Sequence, residues 1–247
     1  MDRALYIAMT GAKNNMMAQT SHSNNLANAS TTGFRADWEQ ARSMPVFGEH
    51  YPTRAYAMTE RPGTDFNDGP MVATGNDLDV AVAGNGFFAI VDGQGEEAYT
   101  RRGDFAVAPD GSLINGSGQQ VIGNGGPIVL PPFEKIEIGN DGIISIRPQG
   151  AGPDEMLIID NLKLVNPELQ NFEKGTDGLF RPREGEPILA ADPTLMVVSG
   201  FVEGSNVNPV HELTSILALN RQYEMQVKMM KTAEEVSQAS EQILRLS

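Results

Sequence analysis

Cysteine is absent from all 247 residues, which removes disulfide scaffolds, cysteine nucleophiles and thiolate metal sites together. Aromatic residues are scarce, at 6% with the single tryptophan Trp38, which argues against an aromatic-lined groove for sugars or bases. Basic residues are outnumbered: 18 Lys and Arg face 32 Asp and Glu, a net charge of −14. Such a chain repels phosphate backbones, and its densest basic pair is only Arg101-Arg102, so no nucleic-acid partner is expected. The longest apolar runs, such as Phe87-Phe88-Ala89-Ile90-Val91, fall far short of the ~20 residues that span a bilayer, so membrane insertion is not expected either. The start, Met1-Asp2-Arg3-Ala4, leads into an amphipathic pattern without a small-residue cleavage site, and no secretory signal peptide is read.

Catalytic and ligand motifs are equally sparse. The histidines His22, His50 and His211 stand in no metal-ligand spacing, and no Gly-x-Ser-x-Gly occurs. Gly84-Asn85-Gly86 and Gly123-Asn124-Gly125-Gly126 lack the Lys-Ser/Thr ending of a phosphate loop. Asp92-Gly93-Gln94-Gly95-Glu96 lacks the ligand order of a calcium loop and reads as a hairpin turn. Neither a cofactor nor a small-molecule substrate is expected. Carboxylates are abundant, so a hydrolase of cell-wall glycan with a carboxylate pair stands as an alternative on composition alone.

What is present is a division. All 15 prolines lie between Pro45 and Pro209, and only Gly11 and Gly33 of the 26 glycines precede residue 45, with none after Gly204. Residues 41–204 carry −13 of the −14. An acidic, turn-rich body thus sits between two nearly neutral ends that tolerate helix. In the first, Leu5, Met9, Ala12, Met16, Gln19, Ser23 and Leu26 form a helical stripe. In the last, Ile216, Leu219, Tyr223, Val227, Met230 and Ala233 do the same after a start marked by Ser205-Asn206 and Pro209. Neither helix has much stability of its own, and each needs a partner for its stripe.

The body reads as β structure. Leu78–Val82 alternates, Phe87–Val91 is a buried-type run, and short strands follow at Tyr99–Arg101, Phe105–Val107, Ile136–Ile138, Ile143–Ile146 and Leu162–Val165. Asp92-Gly93, Asp110-Gly111, Asp141-Gly142 and Asp177-Gly178 are hairpin-type dipeptides between them. The expectation is an α+β chain, with the terminal helices paired as a helical core and a central all-β domain of sandwich or irregular-barrel type. Its divisions are 1–35 (first helix), 36–76 (a proline-rich extended connector), 77–204 (β domain) and 205–247 (last helix).

Three segments carry a resemblance. Asn24-Asn25-Leu26-Ala27-Asn28-Ala29-Ser30-Thr31-Thr32-Gly33-Phe34-Arg35 closely resembles the N-terminal signature of bacterial flagellar rod and hook proteins. Glu203-Gly204-Ser205-Asn206-Val207, with Arg221-Gln222-Tyr223-Glu224 and Lys231-Thr232-Ala233, resembles the matching C-terminal signature. Within the body, Leu78–Val82, Gly86-Phe87-Phe88 and Tyr99-Thr100-Arg101-Arg102-Gly103-Asp104-Phe105 supply a third match. The opening Met1-Asp2-Arg3-Ala4-Leu5-Tyr6 and the length are most similar to the proximal-rod members, with the distal-rod members as the alternative.

The resemblance implies a structural, non-enzymatic subunit of the basal-body rod. Its terminal helices would pack in the rod core, against further copies and other rod proteins, and transmit torque. It also implies export through the flagellar apparatus, without a cleaved signal, to a periplasmic rod. The assembly interface would then comprise Leu5, Met9, Ala12, Met16, Leu26, Ile216, Leu219, Tyr223, Val227 and Met230. Asn24, Asn25 and Asn28 would hydrogen-bond where the first helix ends, or simply fray it. Gly33 would turn the chain through a backbone angle closed to Phe34, which then anchors it. Arg35 pairs with a carboxylate across a subunit contact or is solvated. Ser205 or Asn206 caps the last helix, and Arg221 and Glu224 bridge neighbours or face water.

Overall fold

The two ends nearly free of helix breakers are the helical ones. In the computed structural model, which describes residues 3–48, 51–152 and 155–246, α1 spans Arg3–Ala27 and α2 spans Pro209–Leu246. His50 lies outside the described residues. Every strand pairing between the helices is antiparallel. The molecule is α+β, with a largely β middle, and the chain divides into two units. One comprises residues 1–29, 36–65 and 207–247; the other comprises 30–35 and 66–206.

The first, helical unit holds more than helix. Residues read as an extended connector form a long hairpin, β1 (Asp37–Phe47) and β2 (Pro52–Thr64), with register running from Asp37↔Thr64 to Phe47↔Pro52. A two-stranded ribbon has no face committed to a core, so it shows no period-two apolar signal. Each strand also has an unpaired edge, where Pro45 is tolerated, and Pro52 stands first in its strand. Within this unit α1 lies against α2 and against both strands. Gly11 is where α2 comes close: a Cβ there would sit 2.9 Å from the Gln226 amide nitrogen.

The second, β unit continues with β3 (Met71–Ala73), β4 (Val80–Ala83), β5 (Phe87–Val91), β6 (Glu97–Thr100), β7 (Phe105–Val107), β8 (Leu113–Asn115), β9 (Ile122–Gly123) and β10 (Gly126–Pro127). It closes with β11 (Phe133–Ile138), β12 (Ile143–Pro148), β13 (Leu157–Asn161), β14 (Leu164–Val165), β15 (Phe172–Lys174), β16 (Phe180–Pro182), β17 (Met196–Ser199) and β18 (Phe201–Glu203). The largest sheet has the order β14-β5-β6-β16-β15; a second is β11-β12-β13, and the others are two-stranded. Instead of two full sheets face to face, several small sheets share one apolar centre that includes Val80, Phe88, Ile90, Leu113, Ile144 and Val197. The apolar run of β5 follows from its position: Phe88 and Ile90 enter that centre, while Phe87 and Ala89 point to a second cluster with Tyr99, Phe172 and Phe180. A strand buried on both faces reads as continuous, not alternating.

Four of the five Asp-Gly dipeptides turn hairpins. They join β5–β6, β7–β8, β11–β12 and β15–β16, and in each the Asp side chain accepts from the amide two residues on: Gln94 at 2.8 Å, Ser112 at 3.1 Å, Ile143 at 3.2 Å and Leu179 at 3.1 Å. Part of the acidic excess is thus turn chemistry.

Candidate functional site

The three signature segments meet inside the β unit, around Glu203. Its carboxylate Oε1 accepts from Arg35 Nη2 at 2.8 Å and from the Gly69 amide at 2.9 Å. Its Oε2 accepts from Arg101 Nε at 2.7 Å and Nη2 at 2.6 Å. Its main-chain oxygen accepts from the Gly33 amide at 2.7 Å. Arg35, Arg101 and Glu203 are each 2% exposed, whereas the Asp68 side chain, at 53%, reaches in from the surface to both guanidinium groups at 2.8 and 3.2 Å. Arg101 further donates to the Gly84 and Gly86 oxygens at 2.6 and 2.5 Å, and Arg35 donates to Asn67 O.

Two cations and two anions make the clasp neutral, and every carboxylate oxygen of Glu203 has donors, as burial of charge demands. Burial works against the Arg101 charge and lowers its pKa, opposed by Glu203 and Asp68. Arg35 is therefore neither solvated nor offered to another subunit; it is locked within its own chain.

The residues beside it are locked too. Gly33 has φ +66°, and a Cβ there would lie 2.5 Å from the Arg101 carbonyl carbon, so both conformation and space require glycine. Phe34 lies under the Lys174 ammonium, 3.9 Å from the ring centroid, and Lys174 also donates to Arg35 O at 2.7 Å. Asn206 donates through its amide to Phe34 O at 3.3 Å and through Nδ2 to Asn67 O at 3.0 Å; Ser205 is buried. Neither Ser205 nor Asn206 caps α2. That role falls to Asn208, whose Oδ1 accepts from the Val210 and His211 amides at 3.1 and 3.2 Å, with Pro209 as the first helical residue.

The remaining sequence-derived residues belong to the helical unit. At the end of α1, Asn25 is 2% exposed and pairs with the Asp37 backbone in both directions at 3.0 Å, as a strand would. Asn28 donates to Asn24 O at 2.9 Å, and Asn24 is exposed. The buried side of α1 is made of small residues, Ala8, Ala12 and Ala18, with Leu5 and Leu26 half-buried. Met9 and Met16 lie outside it, 52% and 56% exposed. On α2, Ile216, Leu219, Tyr223 and Met230 are half-buried in register, with Gln226 in the place expected of Val227, which is 41% exposed; Arg221 and Glu224 are exposed. Small side chains on one helix facing heptad-spaced side chains on the other bring the axes close, and that leaves the larger apolar groups outside.

Sequence reasoning missed two features. One is the clasp as an ion cluster, because its members are separated by up to 168 positions and each alone is an ordinary charged residue. The other is His22, of which the sequence shows only that it stands in no metal-ligand spacing. Its Nδ1 sits 2.5 Å from Glu212 on α2 and its Nε2 3.9 Å from Glu39 on β1, tying three elements of the helical unit together. Among the described residues no cluster of three potential ligands could hold a metal ion.

Two family profiles match this chain: the flagellar basal body rod FlgEFG protein C-terminal family over residues 198–243, and the flagellar hook protein FlgE/F/G D1 domain over residues 81–146. The flagellar basal-body rod proteins FlgF of Salmonella typhimurium and of Escherichia coli K12 are each 39% identical over the full length of both chains. FlgF of Caulobacter vibrioides is 34% identical over 97% of each. FlgG rod proteins of Buchnera aphidicola subsp. Schizaphis graminum and of Agrobacterium fabrum are each 31% identical, over 97% and 95% of this chain and 99% and 97% of theirs.

Proposed function

This chain belongs to the FlgF family of flagellar basal-body rod proteins, and from that membership we propose that it builds the proximal part of the rod and passes torque along it. A structural, non-enzymatic role goes with the family. The FlgG relatives favour the distal-rod alternative less, and nothing among the relatives favours a glycan hydrolase. On this reading α1 and α2 are the paired core of the subunit. They meet the helices of neighbouring rod subunits through Met9, Met16, Val227, Arg221 and Glu224, while Ala12, Ile216, Leu219, Tyr223 and Met230 hold the pair together. The chain would reach a periplasmic rod through the flagellar export apparatus.

One observation carries this. Large apolar side chains of the helical unit are on its outside: among the described residues, 17 of the 26 large exposed hydrophobic residues belong to it, among them Tyr6, Met16, Trp38, Phe47, Leu213 and Leu217. Its buried apolar residues are Ala8, Ala12, Ala18, Ala36 and Val207, and both apolar core clusters lie in the β unit. A unit that exposes so many large apolar side chains is completed by association. Stacked helices then resist shear, since packed side chains cannot slide without opening voids.

The test is Met16→Asp. The position is exposed, so circular dichroism of the purified variant should match the parent, while cells carrying it should fail to swim and should yield incomplete basal bodies. Normal swimming would overturn the reading.

A further inference from the structure

Methionine is ordinarily a core residue, yet ten of the eleven methionines among the described residues are exposed. Five are on the two helices: Met9, Met16 and Met17 on α1, at 52%, 56% and 51%, and Met225 and Met229 on α2, at 56% and 55%. Met230, the next residue along, is half-buried toward α1 and serves as an internal contrast.

A thioether in water is open to peroxides. The sulfur takes one oxygen atom as the O–O bond breaks; hydrogen peroxide leaves as water, and the sulfur, oxidised by two electrons, becomes a sulfoxide. The product is polar and hydrogen-bond accepting, so it resists transfer into a dry interface where it has no donor. We propose that these five methionines are an oxidation-sensitive modification site: a free subunit oxidised here by peroxide is barred from packing, and a subunit already packed is shielded. This rests on the helical faces being the rod contact. Both halves have one physical cause: a dry contact keeps peroxide from the sulfur, and the same contact offers no donor to a sulfoxide oxygen. The helices themselves tolerate the change, since all five side chains are more than half exposed.

Peroxide footprinting read by peptide mass spectrometry tests the proposal. In the isolated protein, Met9, Met16, Met17, Met225 and Met229 should oxidise at least several-fold faster than Met230. In purified basal bodies containing the protein, the same five should slow by tenfold or more. Equal rates in both preparations would overturn the proposal, whereas absence of the protein from basal bodies would instead overturn the rod assignment.

A second arm uses glutamine as a polar, helix-compatible stand-in for the sulfoxide. The combined Met9→Gln, Met16→Gln, Met17→Gln, Met225→Gln and Met229→Gln variant should keep its circular dichroism and abolish swimming. The matching leucine variant should swim, and should do so after a peroxide exposure that stops the parent from building new rods. Swimming of the glutamine variant at parental speed would also overturn the proposal.

Discussion

Glu203 receives donors from residues 33, 35, 69 and 101, so replacing it removes the shared partner of two buried guanidinium groups. Glu203→Gln keeps the volume and loses the charge, and should cost about 3–5 kcal/mol of β-unit stability, the price of an unpaired buried cation. Urea denaturation followed by Tyr or far-ultraviolet signals measures it; a loss below about 1 kcal/mol would mean that the clasp is not a buried ionic system. At Asp92 the direction with pH is fixed by geometry. The Arg181 guanidinium at 2.7 Å, helped by the Glu96 and Gln94 amides, holds its carboxyl at about 2. A carboxylate lowered in the folded state contributes stability that is complete above the unfolded value and disappears as pH falls toward the folded one. Stability should therefore drop between about pH 4 and pH 2, and Arg181→Leu should flatten that slope. Sequence reading reached Gly33 correctly, because a turn out of a helix before an aromatic residue has a local backbone logic. It could not reach the burial of Arg35, since nothing local distinguishes a clasped arginine from a solvated one.

Helices and hairpin differ in how openly the sequence declares them. The α2 face was legible because four large side chains repeat at heptad spacing, and the β-unit turns were legible because Asp-Gly specifies both the side-chain bond and the conformation. The face of α1 was misjudged, because a hydrophobicity stripe counts methionine above alanine while the contact selects small residues. The β1–β2 hairpin left no trace, for a ribbon that rests on α1 without burying a row of large apolar side chains has no apolar alternation to detect. Segment 30–35 shows that element boundaries and folding units need not agree: it follows α1 in sequence but is held within the β unit. Trypsin should cut at exposed Lys13 and Arg42 and spare buried Arg35. The peptide 14–42 should then co-elute with the β unit in native gel filtration and separate only in denaturant. Glu203→Gln should release it without denaturant; release from the parent protein would show that the clasp does not hold the segment.

Across the whole chain, charge and grease are segregated. The helical unit carries −2 and the β unit −12 of the net −14, while the exposed large apolar side chains concentrate in the former. Association through the helical units gains apolar burial but brings strongly acidic β units into proximity, and this repulsion between surface charges falls off over a Debye length of about 10 Å at 0.1 M salt. Added salt should therefore promote self-association of the full chain, first by screening that repulsion and then by strengthening apolar contacts. Trp38 reports it without ambiguity: it is the sole tryptophan, sits on β1 and is 58% exposed. As sodium chloride rises from about 0.02 to about 0.5 M, which shortens the Debye length from about 20 Å to about 4 Å, its emission should move to shorter wavelength while sedimentation shows larger species. Phe47→Ser and Leu217→Ser, both exposed apolar positions of the helical unit, should weaken the response. A shift of equal size in a variant that stays monomeric by sedimentation would mean that salt acts on the hairpin alone, and the argument from charge segregation would fail.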